Sequence, residues 1–189
     1  MTPTPSIERT PSGMRVPVAA APLNVRQPGK KMGIEIERKF LVVGSGWRQG
    51  AGLLFSQGYL NRDKDRTVRV RIAGEQAFLT IKGRTEGHSR AEFEYEIFFA
   101  DGHALLELCE RPLIEKIRRV IPHGASTWEV DEFRGENAGL VVAEIELRSE
   151  GQSFERPEWL GEEVTHDSRY FNSNLFSHPY GSWRTKPVA

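Results

Sequence analysis

Seven segments of this chain place Glu, Asp, Arg or Lys at alternate positions with apolar residues between them. Successive side chains of a strand point to opposite faces, so that spacing puts charge on one face and apolar surface on the other. In Glu35-Ile36-Glu37-Arg38-Lys39-Phe40, the residues Glu35, Glu37 and Lys39 share a face opposite Ile34, Ile36 and Phe40. Arg69 and Arg71 oppose Val68, Val70 and Ile72, Thr80 and Lys82 oppose Leu79 and Ile81, and Glu92, Glu94 and Glu96 oppose Phe93, Tyr95 and Ile97. Lys116 and Arg118 flank Ile117, Glu129 and Asp131 oppose Trp128 and Val130, and Glu144 and Glu146 oppose Ala143, Ile145 and Leu147. A merely solvated sheet face mixes Ser, Thr, Gln and Lys. Here the signs are segregated strand by strand, which reads as functional.

Strands are expected at about 34–43, 54–60, 66–73, 77–83, 91–98, 113–121, 127–133 and 140–148, separated by Gly-, Asn- and Asp-rich turns. This pattern describes a mainly β (α+β) protein built on a large antiparallel sheet or barrel. Asp101 is read as the N-cap of a short helix running to Cys109, with Ala104, Leu105 and Leu108 on one face. If the sheet closes, the charges face inward and helices must cover the apolar outside, the inverse of a barrel with an apolar interior.

Such an interior has to be wet or hold ions. Like carboxylates at i, i+2 on one strand repel unless a cation lies between them, so Glu35 with Glu37 and Glu144 with Glu146 form a candidate site for a hard cation. Oxygen donors favour Mg²⁺ or Mn²⁺. The basic set of Lys39, Arg69, Arg71, Lys82, Lys116 and Arg118 exceeds what structural pairing needs and suits a multiply charged phosphate chain, since Arg grips phosphate bidentately.

Composition narrows the classes. The 189 residues carry 26 basic and 26 acidic side chains, a balance that argues against nucleic-acid binding through a general basic field. No long apolar run suggests a membrane span. The lone Cys109 allows no intrachain disulfide and fits a reducing, cytoplasmic setting; it reads as a small buried apolar side chain. Residues 1–32 hold six of the eleven prolines and five basic residues against one acidic, and are expected to be a disordered Pro-rich tail. The Val16–Leu23 run is broken by Pro17 and Pro22, so export is not expected, and Met32 is a candidate translation start. The folded unit is expected over 33–180, with 181–189 as a C-terminal tail.

The residues in order resemble one family. Glu35-x-Glu37-x-Lys39 resembles the signature of the CYTH superfamily, also called triphosphate tunnel metalloenzymes. Similar strands follow in Gln57-Gly58-Tyr59-Leu60, Thr67-Val68-Arg69-Val70-Arg71, Leu79-Thr80-Ile81-Lys82-Gly83, Ser89-Arg90 with Glu92 to Glu96, Lys116-x-Arg118, Trp128-Glu129-Val130-Asp131, Ala143-Glu144-x-Glu146-Leu147 and Glu163-Val164-Thr165 through Asn172. The resemblance spans about residues 33 to 176.

It implies a closed tunnel of eight antiparallel strands with helices outside, binding a triphosphate through basic side chains and divalent metal through acidic ones. Carried over residue by residue, Glu35, Glu37, Asp131, Glu144 and Glu146 would hold one or two Mg²⁺ or Mn²⁺. Lys39, Arg69, Arg71, Lys82, Arg90, Lys116 and Arg118 would grip the phosphates, with Glu37, Lys39 and Glu146 central to catalysis. The implied activity is hydrolysis of tripolyphosphate to pyrophosphate and phosphate by a cytoplasmic enzyme, monomer or homodimer, with a small-molecule partner only. Adenylate cyclase chemistry of the class IV type, thiamine triphosphate hydrolysis, and non-catalytic polyphosphate or nucleotide binding are the alternatives.

Several readings stay open at this level. Glu94 and Glu96 either assist a metal or offset Arg charge. Arg90 reaches the terminal phosphate or lies in the preceding turn. Gln57 and Tyr59 also share one face, and Tyr59 faces the tunnel or belongs to its wall. The segment from Asp167 to Phe176 is a helix capped by Asp167 that plugs or lines one end of the tunnel, or packs on the surface. The five histidines show no metal-ligand spacing, and the scattered tryptophans read as packing residues rather than a base-stacking platform.

Overall fold

A computed structural model describes residues 33–183 other than 85, 87 and 88. The expected tail over 1–32 and the reading of His88 lie outside the described residues. Nine strands form one antiparallel sheet: β1 Gly33–Val42, β2 Leu53–Asn61, β3 Arg66–Ala73, β4 Gln76–Gly83, β5 Ser89–Ile97, β6 Ile114–His123, β7 Ser126–Phe133, β8 Val141–Glu146 and β9 Leu160–Glu163. Their order is β5-β4-β3-β2-β6-β7-β8-β1-β9, and pairing of β1 with β5 closes the first eight into a barrel. The eight-stranded closed barrel anticipated from the sequence is the fold. β9 is an addition: it pairs with the end of β1 at Phe40 and Val42, on the edge that β5 occupies at Gly33 to Ile36.

Register sets which residues face inward, because directly paired residues share a face. Lys39 pairs with Glu144, Arg118 with Asp131, Gln57 with Arg71, Thr80 with Glu94 and Glu35 with Arg90. The charged positions therefore line the interior, and the apolar positions form two outer layers. One joins Phe40, Trp128, Val130, Ala143 and Ile145 to Trp47 and Trp159 from the flanking loops, with Trp128 edge-on to Phe40, Phe154 and Trp159. The other lies under the helix α1, Phe99–Leu108, whose Leu106 packs with Val70, Ile72, Ala77 and Cys109. Close approach there requires glycine, since a Cβ on Gly102 would stand 2.4 Å from Ala77 Cβ and one on Gly58 2.6 Å from Cys109 Cβ.

Two details of the helices differ from expectation. The N-cap of α1 is Phe98, without a side-chain cap; Asp101 lies inside the first turn, where its charge complements the helix dipole instead. The closing segment is not one helix. Asp167 does act as a cap, accepting from Arg169 N, but for a single 3-10 turn, Ser168–Tyr170. The chain then extends at Phe171 before α2, Asn172–Ser177. Residues 181–183, expected in a tail, complete a last short helix, α3 (Tyr180–Trp183), with Trp183 edge-on to Tyr170 and Tyr180.

The segment does close the barrel. Toward one end the inward positions turn apolar: Leu41, Ile114, Phe133 and Val142 form a cluster completed by Leu175 and Phe176 of α2. Arg62, from the turn after β2, ties α2 down by stacking 4.5 Å over Phe176, donating to Ser177 Oγ at 2.6 Å and pairing with Glu110 at 2.7 Å. At the opposite end the inward residues Leu53, Val120 and Glu146 are exposed, which makes that end the mouth.

Candidate active site

Between the apolar plug and the mouth lies a belt of charge. On the β1-β8-β7-β6 side, Lys39 Nζ lies between the carboxylates of Glu37 and Glu144 and bonds to both. Arg118 donates to both oxygens of Asp131 at 2.6 Å and to Glu144 at 2.9 Å, and also pairs with Glu129. Lys116 donates to the same Asp131, and this pair is the most deeply buried, with side chains 2% and 1% exposed. Phe55 lies beneath the guanidinium of Arg118 at 5.3 Å and that of Arg71 at 5.4 Å.

The β3-β4-β5 side is arranged around Glu35, Glu92 and Glu94. Lys82 Nζ lies 3.0 Å from Glu35 and 3.3 Å from Glu92, and Arg90 Nε donates to Glu35 at 2.8 Å. Arg71 donates to Glu94 at 2.9 Å and rests 5.1 Å from the ring of Phe78. Arg69 reaches Thr80 Oγ at 3.1 Å and Glu94 at 3.4 Å. Arg90 is thus an interior residue and not a turn residue. Glu94 is the counter-charge to Arg69 and Arg71, whereas Glu96 is exposed and accepts only from Gln76 among the contacts described. Tyr59 is buried on the inner face, in register with Arg69.

Burial and neighbours push the carboxyls in opposite directions. Desolvation raises Glu37, repulsion from Glu144 adds to it, and the carboxyl sits at about 7 despite Lys39. Glu144 is equally buried, yet Lys39 and Arg118 hold it well below the usual carboxylate range. Lys82 and Arg90 do the same for Glu35 against the cost of burial. Among the bases, burial and the adjacent Arg69 lower Arg71 to about 10. Glu37 is thus held far higher than Glu35 or Glu144 although Lys39 bonds to it.

The expected metal ligands meet by register. Glu37 pairs directly with Glu146, and Glu144 lies two residues along β8. Among the described residues no three acidic, histidine or cysteine side chains stand together as a ready metal-binding group; Glu37 and Glu144 are instead drawn to the Lys39 ammonium. The donor chemistry fits a hard cation: the donors are all oxygen, two carboxylates already converge on a positive charge, and Glu37 is raised by repulsion that a cation would relieve. Asp131 differs in its partners, being paired with Lys116 and Arg118 rather than Lys39.

Sequence reasoning placed Thr80 on the charged face but missed Phe55 and Phe78 as interior residues. Both share the parity of charged inner positions, and that parity is the signal that would have found them. Of the described histidines, His103 stacks edge-on to Phe99 on α1 and His178 caps α2.

A closed antiparallel barrel, apolar outside and filled with paired acids and bases, defines a class of charged-tunnel proteins. The family model of the CYTH domain matches residues 33–180, and the chain belongs to that family. It is 51% identical over 155 residues to an inorganic triphosphatase of Acetivibrio thermocellus, covering 81% of this chain and 99% of that one. An inorganic triphosphatase of Nitrosomonas europaea is 38% identical over 146 residues, 75% and 95% of the two chains. The crystal structure of an inorganic triphosphatase superposes with a TM-score of 0.55 at 34% identity, covering 75% of this chain and 93% of that one.

Proposed function

We propose that this protein hydrolyses inorganic tripolyphosphate to pyrophosphate and phosphate with the help of Mg²⁺ or Mn²⁺. The observation that carries the reading is the interior belt of Lys39, Arg69, Arg71, Lys82, Lys116 and Arg118, buried or half-buried inside the barrel, a concentration of positive charge suited to a polyanion. Its support from relatives is the name inorganic triphosphatase on proteins matched over nearly their whole length.

Phosphoryl transfer asks a protein chiefly to position the chain and to offset charge moving onto its bridging and terminal oxygens. Arg69, Arg71, Lys82 and Arg90 grip from one wall and Lys39, Lys116 and Arg118 from the other. As phosphate enters, it takes over the Lys and Arg groups now bound to carboxylates. Glu35, Glu37, Glu144 and Glu146 are then free to hold the cation, with Asp131 keeping Lys116 and Arg118 in place. When bound, the cation neutralises phosphate charge and lowers the pKa of a nucleophilic water. Glu37 and Glu146, paired in register, and Lys39 beside them make up the catalytic group in this reading.

The protein is read as cytoplasmic, monomeric or homodimeric, with a small-molecule substrate and neither nucleic acid nor membrane as partner. Among the described residues no helix is long and apolar enough to cross a membrane. Phosphate release from tripolyphosphate, ATP and thiamine triphosphate, with and without Mg²⁺ and alongside cyclic AMP detection, tests the proposal. Metal-dependent release from tripolyphosphate above the others is expected. Cyclic AMP formation, preference for thiamine triphosphate, or tight binding without turnover would each replace it.

A further inference from the structure

The barrel interior contains three groups whose hydrogen-bonding capacity the fold leaves unused. Gln57 is 0% exposed, and neither its amide nitrogen nor its amide oxygen has a partner. Arg69 and Arg71 bond through Nη2, yet the buried Nε of each has no partner. The three are neighbours by register. Gln57 pairs with Arg71 across β2 and β3, and Tyr59 pairs with Arg69, so Gln57 stands beside one guanidinium and diagonal to the other on the same inner face. On its other side Gln57 pairs with Ile114, and Lys116 is the next inward residue of β6. A buried amide without a partner costs roughly 1–3 kcal/mol, which an apolar side chain of the same shape avoids. Three unmet N–H donors on adjacent inner positions call for one oxygen-rich anion.

We infer that Gln57 is a substrate-contacting residue: its Nε2 donates to a non-bridging phosphate oxygen in the space served by Nε of Arg69 and Arg71. This rests on the triphosphate reading of the tunnel and adds to it a residue outside the charged set. A neutral donor has a physical advantage at that position. Arg69, Arg71 and Lys116 already crowd positive charge there, and a further cation would add repulsion in the empty tunnel, whereas an amide adds a directional bond at no charge.

Gln57→Met keeps the shape and removes both polar atoms, and Gln57→Glu keeps the shape and replaces the donor by a carboxylate. Tripolyphosphate affinity by calorimetry, kcat and KM with Mg²⁺, and Tm are measured for both beside the wild type. For Gln57→Met the expected result is a Tm equal to or above wild type with affinity weakened roughly 10-fold, the loss of one charge-assisted bond. For Gln57→Glu, Tm rises because Arg69, Arg71 and Lys116 gain a counter-charge, while affinity falls roughly 100-fold. Wild-type affinity and KM in either folded variant overturns the inference, as does a lowered Tm in Gln57→Met with binding intact, which would assign the amide to the fold. Absence of tripolyphosphate binding by the wild type overturns the tunnel reading itself, and the inference with it.

Discussion

The two walls of the tunnel use the same residue types in different proportion. Along β6, β7, β8 and the second half of β1, the five carboxylates Glu37, Glu129, Asp131, Glu144 and Glu146 face only Lys39, Lys116 and Arg118. Along β3, β4 and β5 the four bases Arg69, Arg71, Lys82 and Arg90 meet four acids, Glu35 from the start of β1 with Glu92, Glu94 and the exposed Glu96. An acid-rich wall can give up a carboxylate to a cation and still keep its bases paired. The other wall, with bases and acids in equal number, presents relatively more positive charge to an anion. In the function proposed above, the asymmetry biases the cation toward the acid-rich wall, while Glu35 completes its ligands from the other wall and bases of both walls meet the phosphates.

The largest test of that bias is a pair of substitutions, one per wall. Glu37→Gln should lower kcat on the order of 100-fold or more with little change in tripolyphosphate affinity, because it removes charge stabilisation that matters in the transition state. Arg71→Ala should instead weaken affinity by roughly 10- to 100-fold, the loss of a charged hydrogen-bonding group. Steady-state kinetics with calorimetry separates the two, and near-wild-type turnover in Glu37→Gln would erase the distinction between the walls.

A smaller effect concerns stability in the absence of metal. Glu37 is held at about 7 in the fold against an ordinary 4.5, so between those values the folded state keeps a proton that the unfolded chain has lost. That contribution is full below pH 4.5 and disappears as pH rises through 7. Relative to Glu37→Gln, the wild type should lose on the order of 2 kcal/mol across this window in urea melts. Parallel curves would show the acid wall already neutralised by Lys39. Smallest is the plug: Arg62→Ala should cost about 1 kcal/mol by removing its stacking on Phe176 and its pair with Glu110. An unchanged melting curve would leave α2 anchored by Leu175 and Phe176 alone.

Much of this was legible in the chain. Alternation told the inner face from the outer at Glu35, Arg69, Lys82, Lys116, Asp131 and Glu144, since a strand's period of two is a local property. Gln57 shares that face with Tyr59 by the same alternation, whereas Phe55 and Phe78 have the parity but no charge to mark it. β9 was missed as a separate strand because its four residues, Leu160–Glu163, show no alternation and gain order only by pairing with β1. Asp101 was misplaced as a cap because Phe98 starts the helix earlier, where packing of α1 against β3 and β4 outweighs the preference of a capping side chain.

By itself the sequence determined the strands, their two faces and the sign of charge on each, because all of these follow from side-chain alternation. Only the tertiary structure decided which charges meet. Closure of β1 on β5 brings Glu35 to Arg90 and Lys82, and the register of β1 on β8 sets Glu37 against Glu146 and Lys39 against Glu144. It also decided that the barrel ends in an apolar plug at Leu175 and Phe176. Those facts depend on contacts between residues far apart in the chain, where a shift of one residue would turn every charge to the outside.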